Sequence, residues 1–136
     1  NWNYVTQQTA DWDEATARTI TQSVIDSGKP FNVIYAENNG MARGAVAALD
    51  AAGITHGKDG DVIVMGFDSD KWAFEAVLEG SWNYMGLCNP LQADTVDSII
   101  KDLMAGKAPA QKIIYTPEQG FDCDTLTQAD VDTYGT

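Results

Sequence analysis

At 136 residues, 44% of them hydrophobic, the chain can bury one core and little more. A formal net charge of -12 with only eight Lys plus Arg repels phosphate backbones, which argues against nucleic acid as a partner and reads first as solubility. No run of about 18 apolar residues is present, so no membrane-spanning helix is expected.

The first strand-like run is Trp2 to Gln7, mixed aromatic and β-branched. It starts within a few residues of the N-terminus with no signal peptide ahead of it, as expected for a mature or truncated piece of something longer. Helical periodicity follows Trp12, with Ala17, Ile20, Val24 and Ile25 on one face, Asp13 as N-cap, and Gly28 and Pro30 as stop signals. A second strand, Phe31 to Ala36, leads into a helix carrying Met41, Ala45, Ala48, Leu49 and Ala52. Asn38 or Asn39 caps it, and Gly53 lies beyond its end. A third strand, Val62 to Phe67, precedes a helix from Ser69 to Gly80 with Phe74, Val77 and Leu78 inward.

The fourth strand is Asn83 to Cys88, followed by a helix from Leu91 to Met104 that ends at Gly106. The tail offers Lys112 to Tyr115 as a strand and Leu126 to Tyr134 as a weak helix. Alternating strands and helices of these lengths imply right-handed crossovers. The expected class is α/β, a three-layer α/β/α arrangement around a mainly parallel sheet. In such sheets ligands bind beyond the carboxyl ends of the strands. Trp12, Asn38, Asp68 and Asn89 each follow a strand-like run, so they are expected to share one crevice.

Ala10-Asp11-Trp12-Asp13, the stretch from Ala36 to Ala45 (AENNGMARGA) and Gly66-Phe67-Asp68 occur in order inside these units. Together they resemble the C-terminal lobe of type I periplasmic sugar-binding proteins, the receptors of ABC sugar importers in the ribose, galactose/glucose and galactofuranose group. Gly57-Lys58-Asp59, Cys88-Asn89-Pro90 and the tail after Asp122 are most similar to the galactofuranose branch. Members of that family have two lobes that clamp a sugar between them. The resemblance therefore implies a lobe formed by 1–88 plus 119–136, a segment 89–118 that crosses to an N-terminal lobe, and absence of the rest of that lobe. It implies an extracytoplasmic receptor, periplasmic or lipid-anchored, with a pentose or hexose as ligand and an ABC permease as partner. No cofactor, metal or catalytic residue is implied.

A sugar ring has hydroxyls around its edge and a less polar C–H face, so its recognition combines amides and carboxylates with an aromatic platform. Trp12 is the platform, or else a helix-start Trp packed on its own sheet. Asn38 can donate and accept at once toward vicinal hydroxyls, or cap the helix it precedes. Asp68, acceptor-only when ionised, would take hydroxyl protons in charge-assisted bonds. Asn89 precedes Pro90 and is extended, as a ligand contact or a plain turn residue; an offset of one puts Cys88 in that place.

Ribose and galactofuranose types carry an Arg where this chain has Glu14. Either the sugar differs, or Arg18 reaches across, or Glu14 and Arg18 pair on the helix surface, the last being preferred. Cys88 and Cys123 fall near the crossings: bridged, they would close a loop of about 35 residues and add roughly 3 to 4 kcal/mol, and otherwise they are free thiols. His56 is expected to be solvated in a polar loop, with no partner at metal spacing. Asp11, Asp13 and Glu14 lack the pattern of a calcium loop. Two rival readings are the effector-binding core of a LacI-type repressor and an α/β enzyme using Asp68 as base; the second lacks a phosphate-binding glycine loop.

Overall fold

The computed structural model describes residues 2–109 and 111–136. Its elements in chain order are α1 (Glu14–Asp26), β1 (Val33–Tyr35), α2 (Asn39–Ala52), β2 (Ile63–Asp68), α3 (Lys71–Leu78), β3 (Tyr84–Leu87), α4 (Ala93–Met104), β4 (Gly120–Asp122) and α5 (Gln128–Tyr134). The class is α/β, as the alternation implies. The strands form one sheet in the order β1-β2-β3-β4, with β1, β2 and β3 parallel and β4 antiparallel to β3.

The local signals that start and stop helices act where expected. Asp13 caps α1 by accepting from the Thr16 N–H at 2.7 Å, and Asn38 caps α2 by accepting from Met41 N–H at 2.7 Å. Gly53 ends α2 in the left-handed region at φ 68°. Of the two asparagines, Asn38 is thus the cap.

Two strand expectations fail. Trp2–Gln7 has strand composition but pairs with no strand among the described residues, and Trp2 and Tyr4 are exposed. Lys112–Tyr115 is likewise unpaired, with Ile113, Ile114 and Tyr115 exposed, whereas Gly120–Asp122 forms the fourth strand. Side-chain composition favours extension, but only a neighbouring backbone satisfies a strand's N–H and C=O groups.

The crossovers β1→β2→β3 step in one direction, so right-handed connections bring α2 and α3 to the same face of the sheet. There Ala42, Leu49, Val64, Phe74, Val77, Met85 and Phe121 pack into one core, which Leu126 and Val131 of the tail complete. Phe74 and Phe121 meet edge-to-face at 5.2 Å. Gly66 has no room for a side chain, because a Cβ would lie 2.7 Å from Asn39 Oδ1 and 2.8 Å from the Trp82 ring. The opposite face carries an aromatic ladder: Tyr35 and Phe67 at 5.1 Å, then Phe67 and Tyr84 at 6.5 Å. Beside these units, α4 buries none of its described residues and exposes Val96, Ile100, Leu103 and Met104.

Candidate functional site

Parallel strands deliver their carboxyl ends to one edge. In register, Asp68 at the end of β2 stands opposite Leu87 at the end of β3, and the Cys88 N–H donates to the Asp68 carbonyl at 3.1 Å. On the other side, the Ala36 N–H that follows β1 donates to the Met65 carbonyl of β2 at 3.1 Å. The residues after β1, β2 and β3 therefore line one rim, and Asn38, Asp68, Cys88 and Asn89 belong to it.

Asn38 and Asp68 meet there. Because the Asn38 Oδ1 is committed to the α2 cap, its Nδ2 is the end left to donate. Asp68 Oδ2 accepts from the Asn39 backbone N–H at 3.4 Å, at the positive end of α2. Burial pushes the Asp68 carboxyl above its ordinary value and the nearby Asp70 charge adds to this, while the Asn39 N–H and the Asn38 side chain pull the other way. Its backbone is strained as well, at φ 122°, a region that non-glycine residues rarely occupy. A strained, partly desolvated carboxylate at a strand end is costly to keep, and such costs concentrate at functional sites.

Asn89 is half-buried, with its Oδ1 accepting from Leu91 N–H at 2.9 Å in a turn of its own making. That leaves its Nδ2 as a donor. Cys88, one residue earlier, is exposed and hydrogen-bonded through its backbone to Asp68, so both positions are on the rim. Both cysteines are free thiols: Cys88 is exposed and Cys123 half-buried. Burial pushes the Cys123 thiol up and the neighbouring Asp124 adds to this.

Trp12 is held by a turn rather than by packing. Asp11 and Trp12 are both left-handed, at φ 49° and 59°, and the Asp13 N–H closes the turn on the Ala10 carbonyl at 2.9 Å. The indole is 75% exposed, so it does not pack on its own sheet. The helix that begins beside it rests on α2 so closely that a Cβ at Gly44 would lie 2.1 Å from the Glu14 carbonyl oxygen. That contact sets the start of α1, two residues after Trp12, against the N-terminal half of α2, the helix that Asn38 caps.

Sequence reasoning misjudged Glu14. It pairs with Arg43 of α2, whose Nε donates to Glu14 Oε2 at 2.9 Å, and among the described residues Arg18 makes no ion pair. The Arg43 guanidinium carbon also lies 4.3 Å from the Trp72 ring centroid. Asn39, unmarked in the sequence except as an alternative cap, is fully buried and donates through Nδ2 to Asp70 Oδ2 at 3.1 Å. Its Oδ1 has no hydrogen-bond partner among the described residues. His56 is not solvated either. Its ring lies between the Ser81 carbonyl, 2.8 Å from Nδ1, and Asp50 Oδ1, 3.1 Å from Nε2, with a side chain only 12% exposed. No spacing rule foretells these partners, because each comes from another element.

The arrangement offers amide donors, an acidic acceptor and an exposed indole, a set that binds polyhydroxylated rings. Among the described residues, no group of His, Cys, Asp and Glu could hold a metal ion, and no helix is long and apolar enough to cross a membrane. An open groove of about 570 Å³ lies elsewhere, between α4 and the following segment, lined by Ser98, Ile99, Asp102 and Ile114 among others.

A mainly parallel sheet with polar side chains at its strand ends places the chain among α/β domains. Residues 1–108 match the model of the periplasmic binding protein domain, and the chain belongs to that family. The fructose import binding protein FruE of Bifidobacterium longum is 30% identical over 131 residues, 95% of this chain and 38% of that protein. A D-apiose import binding protein of Actinobacillus succinogenes is 37% identical over 76 residues, 56% of this chain and 23% of that protein. Among solved structures, a Mycobacterium smegmatis protein in complex with β-D-fucofuranose is 27% identical with a TM-score of 0.77, covering 96% of this chain and 40% of that one. The chain thus spans well under half the length of these relatives.

Proposed function

We propose that the chain is the C-terminal lobe of an extracytoplasmic monosaccharide receptor that hands its sugar to an ABC importer and performs no chemistry. The observation that carries this reading is the common rim, where strained Asp68 meets Asn38 beside Asn89, with exposed Trp12 two residues ahead of the point where α1 packs on α2. In this reading Trp12 stacks on the ring, Asn38 and Asn89 donate to hydroxyls, and Asp68 accepts from them. The relatives named as sugar import binding proteins support the substrate class, and the periplasmic family supports an extracytoplasmic location.

Residues 89–118 cross to a second lobe in this reading, which is supported by the apolar stripe that α4 leaves exposed. The main lobe is 1–88 plus 119–136. One lobe alone binds weakly, since a clamp gains affinity when both faces engage and exclude water. Calorimetry on the two-lobe protein with a panel of pentoses and hexoses tests the proposal. Heat that saturates with one sugar, and is lost in Asp68→Ala, is the expected result; no heat with any sugar from folded protein overturns it.

A further inference from the structure

Arg43, on α2, stands between the starts of α1 and α3. Its Nε and Nη2 both meet the same Glu14 oxygen, two residues beyond Trp12. The face of its guanidinium lies on Trp72, at 4.3 Å from the ring centroid, and the Asp70 charge acts on it from the start of α3. Asp70 in turn accepts from Asn39 Nδ2 at 3.1 Å, and the Asn39 backbone N–H reaches Asp68 at 3.4 Å. Arg43 thus joins the start of α1 beyond the Trp12 turn, through Glu14, to the start of α3, through Trp72, and from Asp70 at that same start Asn39 leads on to Asp68.

We propose that Arg43 is a positioning residue of the sugar site, holding the Trp12 turn through Glu14 in fixed relation to the start of α3 through Trp72. The proposal rests on the sugar-binding reading above. Glu14 and Arg43 are both about half exposed, and pairs of that kind add little to stability. Their geometry serves another end. An Arg gripped by a carboxylate at its edge and an indole on its face keeps little rotamer freedom, so it transmits position well. The Trp12 turn needs such an anchor, because two left-handed residues in succession are not self-stabilising. Gly44, one residue on, lets the helices approach closely enough for the fork to reach.

The test uses the ¹⁵N-labelled chain, with the heteronuclear NOE of each indole N–H as a measure of order and titrations with D-ribose and D-fructose as a measure of binding. In Arg43→Met the Trp12 indole is expected to lose order while the Trp82 indole, buried in the core, keeps it. Sugar affinity is expected to fall by roughly two- to 150-fold, the range of coupling between contacting residues. Arg43→Lys, which keeps the charge without the fork, should recover part of both, and Glu14→Gln should shift both in the direction of Arg43→Met. Unchanged Trp12 order in Arg43→Met and Glu14→Gln overturns the proposal, as does equal loss of order at Trp82. If neither sugar binds the unsubstituted chain while Trp12 order still falls, the mechanical role of Arg43 stands and the sugar reading is decided by calorimetry on the two-lobe protein.

Discussion

Helices α2 and α4 carry the same kind of apolar stripe and end differently. In α2 the inward positions Ala42, Ala45, Ala48 and Leu49 are buried; in α4 the equivalent positions Val96, Ile100 and Leu103 face outward. A period of 3.6 residues makes a stripe, but burial needs an opposing surface, and β1 and β2 supply one only to α2. Stability should therefore be concentrated in 14–87 and the tail, with 89–118 contributing little.

The largest effect should come from truncating the core side of this contrast. Phe74→Ala removes a fully buried ring that packs on Phe121, and should cost about 3 to 5 kcal/mol in urea unfolding. A smaller loss, about 1 to 3 kcal/mol, is expected for Gly44→Val, whose side chain would collide with the Glu14 carbonyl and force α1 off α2. A normal melting temperature for that variant would show that the two helices are less tightly apposed than described.

Asp68 should respond in the opposite sense. Asp68→Gly relieves the φ 122° strain and should stabilise the chain by about 1 kcal/mol while abolishing the sugar binding proposed for it. Because burial raises its folded-state pKa, the carboxyl holds its proton more tightly folded than unfolded. Its contribution to stability is therefore complete below the unfolded value of 3.8 and is lost as pH rises through the raised value. Asp68→Asn should gain on the parent above that window and not below it, and parallel unfolding curves across pH would contradict the assignment.

The smallest change belongs to α4. Ile100→Ala should alter stability by less than about 0.5 kcal/mol, since its side chain is already 50% exposed. A loss comparable to that of Phe74→Ala would mean that α4 is packed, and the contrast between the two helices would collapse.

Of the candidate site, the strand-end positions were legible because a parallel sheet fixes where its carboxyl ends lie. Asn38, Asp68 and Asn89 could be found by reading where each apolar run stops. The side-chain partners were not legible. Glu14 looked paired with Arg18 at helical spacing, yet Arg43 holds it from a separate helix. His56 looked solvated, yet Asp50 and Ser81 enclose it from two other elements.

The sequence by itself determined the helices and the α/β class, and narrowed the α2 cap to two asparagines, because a helix closes its hydrogen bonds within its own segment and a cap lies three residues from its target. Tertiary structure decided which extended segments became strands: Gly120–Asp122 found β3, while Trp2–Gln7 and Lys112–Tyr115 found no partner among the described residues. It also decided which charges met across the rim. A strand or an ion pair between elements is completed by atoms distant along the chain, and only the folded arrangement brings them within bonding range.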